Sequence, residues 1–229
     1  MKTTTPSTIA EFIENLADTN PGQIISSFQD EINIYTVKEL NNKASLLAKG
    51  LLYNGVGKNT PVGLVMAGTT SCLTFTLALA KIGALLIPIN TKLEIRLIKK
   101  ILQEEQIHTL AFYADAFLNT FQQIVPNLTQ NERGYLHSKD LPQLKNIVTL
   151  GSVKNRGIFT TRELMLVGSH MDDIEMEDTI VAIKADDVFI HKISFGELLK
   201  MKVEAISHGQ IVKEHTTFAD LQNYLLRSI

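Results

Sequence analysis

The stretch from Val62 to Ile89 constrains the fold more than any other: it is almost wholly apolar, yet Gly63, Gly68, Lys81, Gly83 and Pro88 break it at intervals. A membrane span needs about 20 apolar residues with few breaks, so the interruptions argue against one. Strands covered on both faces read as continuous apolar runs, which favours a buried strand, a helix and a second buried strand. The spacing predicts a strand over 62–66, a helix over 70–82 and a strand over 84–89.

The same alternation runs along the front of the chain. A helix is expected over 8–17, followed by a hairpin that turns around Gln29-Asp30-Glu31. Thr36 and Glu39 then form an S/T-x-x-E capping box, with Leu40, Ala44, Leu47, Ala48 and Leu51 following at helical spacing. Gly55 ends that helix, 94–105 reads as an amphipathic helix and 108–113 as a strand. Beyond Asp115 the expectations are a helix to about Val125, a strand over 146–150, a short helix over 160–168 and a last amphipathic helix over 217–226. Strands alternating with helices of this length predict an α/β fold: a mostly parallel sheet with flanking helices.

Charge narrows the partners. With 22 basic and 24 acidic residues the net formal charge is −2, so no field points to nucleic acid or an anionic membrane. Cys72 is the single cysteine, which excludes an internal disulfide, and the N-terminus lacks the apolar core of a signal peptide. A cytoplasmic location with no membrane span is expected. The acidic run at 171–178 lacks the central glycine of an EF-hand loop and reads as a solvated loop.

Other patterns lead nowhere chemical. Gly68-Thr69-Thr70-Ser71 reads as a strand-to-helix turn, and Gly55 to Thr60 lacks the four-residue spacer of a Walker motif. The six histidines show no metal-ligand spacing, and no serine sits in a Gly-x-Ser-x-Gly elbow. We therefore assign no catalytic residue and no metal ligand.

Three blocks carry a family likeness. They are YTVKELNNKASLLAKGLLYNGVGKNTPVGLVM, LALAKIGALLIPINTKL, and LPQLKNIVTLG with ADDVF downstream. In this order and at these separations they resemble the N-terminal part of adenylate-forming acyl-CoA synthetases. The resemblance covers about Pro6 to His208 and implies the N-terminal subdomain of that fold over 1–185. It makes 186–229 the remnant of a phosphate-loop region plus a C-terminal helix.

In the family a "DDV" segment leads into a loop of the pattern T-S-G-T-T-G-x-P-K-G, then a hydrophobic stretch and Ser-His. Here Asp186-Asp187-Val188 and Ser207-His208 keep the frame, while Ser194, Phe195, Gly196, Glu197, Leu198, Leu199, Lys200, Met201 and Lys202 fill it. Ser194, Gly196 and a lysine, Lys200 or Lys202, are the residues that could still touch a phosphate, and of the two lysines Lys202 is taken as the candidate. Glu197 brings a carboxylate, the two leucines replace donors with apolar bulk, and Phe195 to Val203 is expected to form a short helix.

The resemblance implies ATP, magnesium and CoA for the family. For this chain the expectation is no cofactor, because the adenine motif and the catalytic lysine of the family come later than Ile229. A truncated acyl-CoA synthetase-like module follows, not competent alone and acting by binding; the alternative is one component of a split ligase. A homodimer or a partner protein is expected.

Overall fold

The computed structural model describes residues 6–25, 35–65, 68–90, 92–113, 115–126, 128–151, 155–172, 176, 178–180 and 182–227. The turn expected at Gln29-Asp30-Glu31 lies outside them. Its two arms are present as β1 (Ile24–Ile25) and β2 (Tyr35–Thr36), paired antiparallel.

Five of the parallel strands of a larger sheet come first: β3 (Pro61–Val65), β4 (Leu85–Ile89), β5 (Thr109–Phe112), β6 (Asn146–Thr149) and β7 (Phe159–Thr160). Then β8 (Val188–Phe195) joins β4 in parallel, and β9 (Met201–Ser207) folds back on β8 as the antiparallel edge. The order is β7-β6-β5-β3-β4-β8-β9. The mostly parallel α/β fold read from the sequence is thus the fold observed.

Why these segments are strands is visible in their burial. Every residue of β5 and β6 is buried, as the continuous apolar runs require. Between β3 and β4, helix α3 (Thr70–Lys81) is buried along nearly its whole length. Its Lys81 has no solvent exposure, and its ammonium meets the Glu14 carboxylate of α1 (Ile9–Thr19) at 2.8 Å. Burial pulls the Lys81 pKa down and Glu14 opposes that pull.

Helices cover both faces. One core lies under α1, α2 (Val37–Tyr53), α3 and α6 (Thr161–Gly168), continuing to α7 (His208–Glu214) and α8 (Phe218–Arg227). The other lies under α4 (Ile95–Glu104) and α5 (Asp115–Ile124). Capping boxes start α1 at Thr8, α2 at Thr36 and α6 at Thr160. Gly55 and Gly83 take left-handed backbone (φ 79° and 64°) where α2 and α3 end, a conformation open to glycine at little cost.

One expected element is replaced. Phe195 to Val203 is not a helix: β8 runs to Phe195, one 3₁₀ turn spans Glu197–Leu199, and β9 begins at Met201. Leucine and lysine favour helices only weakly, by tenths of a kcal/mol. Seven cross-strand partners between β8 and β9, with Phe195 and Met201 packed on the second core, outweigh that preference.

Candidate functional site: the β8–β9 hairpin

Ligands of open α/β sheets bind at the carboxyl ends of the parallel strands, and β8 carries the chain to that edge before β9 returns. The hairpin brings the three candidate residues together. Ser194 and Lys202 are direct cross-strand partners, so their side chains leave the same face of the ribbon. Gly196 follows at the turn, where a Cβ would lie 3.1 Å from Lys202 Cε and 3.5 Å from its Nζ. Glycine here matters for the space it leaves: its backbone is extended (φ −90°, ψ −161°), while the Lys202 stem lies across it.

Beyond Gly196 the tip closes on itself. The Gly196 N–H donates to the Lys200 carbonyl at 2.9 Å, Leu199 N–H to the Gly196 carbonyl at 3.2 Å and Lys200 N–H to the Glu197 carbonyl at 3.3 Å. Leu198 and Leu199 both stand in the left-handed region (φ 57° and 53°), where a Cβ crowds the backbone at a cost of about 1–2 kcal/mol per residue. Leu198 is 91% exposed, so no packing offsets that strain.

Helix α4 braces the hairpin at two points. The Lys100 ammonium donates to the Leu199 carbonyl at 3.1 Å, and the Glu105 carboxylate meets His191 Nδ1 at 2.7 Å. Neither brace announces itself in the sequence, since each joins residues far apart in the chain. Beside β8, a cavity of about 130 Å³ is lined by Pro88, Asn90, Leu93, Ile101, Lys192 and Ile193. Sites for small molecules occupy about 300–1,000 Å³, so this one is below nucleotide size.

The frame around the tip has structural duties. The Asp187 carboxylate meets the Lys58 ammonium at 2.6 Å and accepts the Lys184 N–H at 2.8 Å, and hydrogen bonding from Lys58 holds its pKa low. The Asp187 carbonyl accepts the His208 N–H, tying the start of β8 to the end of β9. Ser207 caps α7 in a capping box with Gln210, and the His208 ring packs on Phe189 with centroids 4.9 Å apart.

Comparison with known proteins places this geometry. The profile of the family described as AMP-binding enzyme matches residues 13–189. The chain belongs to the AMP-binding enzyme family. Among its relatives is YngI of Bacillus subtilis strain 168, provisionally named an acyl-CoA synthetase, 22% identical over 218 residues. That match covers 93% of this chain and 40% of YngI. Acyl-CoA ligase SID4 of Ajellomyces capsulatus is 23% identical over 195 residues, covering 83% of this chain and 31% of its own length. The chain thus spans less than half the length of these AMP-binding relatives.

Solved structures agree on the fold. An anthranilate CoA ligase in complex with anthranoyl-AMP superposes with a TM-score of 0.70 at 18% identity, over 92% of this chain and 36% of that one. A long-chain-fatty-acid-CoA ligase of Archaeoglobus fulgidus gives 0.69 at 17% identity, over 93% and 39%. Membership in the AMP-binding family also corrects one expectation. The family depends on ATP, magnesium and CoA, and a chain assigned no cofactor conflicts with that requirement.

Proposed function

We propose that this chain is an acyl-CoA synthetase-like module that does not complete carboxylate activation on its own and acts by association, with itself or a partner protein, in the cytoplasm. In this reading 1–185 supply the scaffold, and 186–229 carry a degenerate phosphate loop with Ser194, Gly196 and Lys202 as its remaining phosphate contacts.

The observation that carries the reading is the hairpin tip. A loop that grips a triphosphate must aim backbone N–H groups and hydroxyls at it. Here three N–H groups are spent on the tip's own carbonyls, and Glu197 adds a negative charge to the tip. The tip therefore fits a triphosphate poorly, although Ser194 and Lys202 are placed to meet one phosphate group.

The test is pyrophosphate release with ATP, magnesium and a panel of carboxylic acids. The chain alone is expected to give no turnover, and release near 1 s⁻¹, within the ordinary range of enzymes, would overturn the reading. Rebuilding the tip as Glu197→Thr, Leu198→Thr and Leu199→Gly should tighten ATP binding at least tenfold by calorimetry, about 1.4 kcal/mol. A second reading, one component of a split ligase, is favoured by the match to only 40% of YngI. It predicts turnover when a chain supplying the remaining length is added.

A further inference from the structure

We infer that β9 is the surface by which two copies of this chain join, antiparallel and edge to edge, about a two-fold axis through Val203. The inference deepens the associating-module reading, on which it rests, by naming the contact and its register.

The edge is open. β9 is the last strand in the sheet order, and Lys202, Val203, Glu204 and Ala205 are all exposed, Val203 by 45%. Its free backbone groups can be identified. Backbone pairs in an antiparallel ribbon alternate between those that exchange hydrogen bonds and those that do not. Because the Gly196 N–H bonds the Lys200 carbonyl, Lys200 directs its backbone toward β8, and Lys202, Glu204 and Ile206 do the same. Met201, Val203 and Ala205 therefore direct their N–H and C=O groups outward, ready for another strand.

Self-pairing must match outward residues to outward residues, which a two-fold axis through any residue from 201 to 205 does. An axis through Lys202 or Glu204 sets that residue against its own copy, a like-charge pair. An axis through Met201 sets Lys200 against Lys202, a like-charge pair. One through Ala205 sets Glu204 against Ile206 and leaves the carboxylate without a cation opposite. With the axis at Val203, Lys202 faces Glu204 of the partner, Glu204 faces Lys202 of the partner, and Met201 faces Ala205 in both directions. Edge lysines ordinarily oppose strand pairing. In this register the same charges select it.

The two faces of the joined ribbon stay consistent with the fold. Within one chain Lys192 is the cross-strand partner of Glu204, so the contact adds the partner's lysine to an alternating row of charge. On the opposite face Met201, Val203 and Ala205 share a side with Ile193 and Phe195, which pack on the second core. Pairing would cover Val203 and extend that apolar strip across the axis.

Sedimentation equilibrium of the full chain at about 10–200 μM tests the contact, a range suited to a micromolar Kd. The expected mass approaches twice the 25.5 kDa of one chain. Lys202→Glu and Glu204→Lys, each alone, set like charges opposite and should give monomer; the double swap should restore the dimer. Val203→Pro removes one outward N–H without touching the bonds to β8, so it should give monomer with an unchanged circular dichroism spectrum. Wild-type chain that stays monomeric throughout, as it would if a different protein occupied the edge, overturns the inference. So does a dimer that survives Val203→Pro, or a double swap that stays monomeric. Pyrophosphate release by the Val203→Pro chain would instead sink the module reading alone, because Ser194, Gly196 and Lys202 are intact in it.

Discussion

His208 has no solvent exposure, and neither of its ring nitrogens finds a hydrogen-bond partner among the described residues. Burial pushes its pKa down from 6.5 to about 4, against the opposing pull of Asp187. The folded chain takes up this proton only near pH 4, whereas the unfolded chain does so near 6.5. Between those values the unfolded state holds more protons, so stability is lost as pH falls through that window and is level above it. The full contribution is about 3 kcal/mol, at 1.36 kcal/mol per pKa unit. His208→Phe should therefore shrink the loss of unfolding free energy between pH 7 and pH 4.5 by about 2 kcal/mol in urea titrations. An unchanged pH slope would show that the ring is solvated in the native state. The Ser-His exit that marks the family position thus works here as a helix cap followed by an aromatic wedge.

Helices α2 and α6 approach each other backbone to backbone. A Cβ on Gly50 would sit 2.0 Å from the Leu164 carbonyl oxygen, and one on Gly168 would sit 1.9 Å from that of Leu46. Carbonyls cannot rotate away like side-chain ends, so the helices must separate and open the core around Leu47 and Leu164. Gly50→Ala and Gly168→Ala should each cost about 3 kcal/mol of unfolding free energy, at the upper end of overpacking. Gly22→Ala, with no atom of the described residues within 4 Å of its Cβ, should stay within about 0.5 kcal/mol. Equal effects at all three sites would refute the close crossing.

The same pair of helices shows what the sequence makes legible. The capping box at Thr36 is written within four residues and is readable there. The meeting of Gly50 with Leu164 depends on chain segments far apart and left no local mark. The hairpin divides in the same way. Its frame, Asp187 to His208, is a local pattern that singles out Ser194, Gly196 and Lys202, and the ribbon sets the three side by side. Its conformation is decided by pairing with β8 and by Lys100 and Glu105 of α4, so propensity alone pointed to a helix.

Across the whole molecule, stability should fall off along the sheet. β3, β4, β5 and β6 lie between the two cores, and their residues are almost all buried. Exposing their amides requires unfolding both layers, so exchange there should report the global free energy, on the order of 5–15 kcal/mol. The outer half of the β8–β9 hairpin is different. From Glu197 to Ala205 most residues are exposed, and opening this part breaks the ribbon pairing, the Lys100 contact with Leu199 and the packing of Met201 against the second core. Amides of 197–205 are expected to exchange with opening free energies below about 3 kcal/mol, as in other locally opening segments. The measurement belongs on the Val203→Pro monomer, where a second copy cannot shield the edge. Tip amides protected as strongly as those of β3 would mean that the hairpin is fixed by contacts beyond its braces. A graded pattern would place the candidate site on the least stable part of the fold, where it can be reordered without disturbing either core.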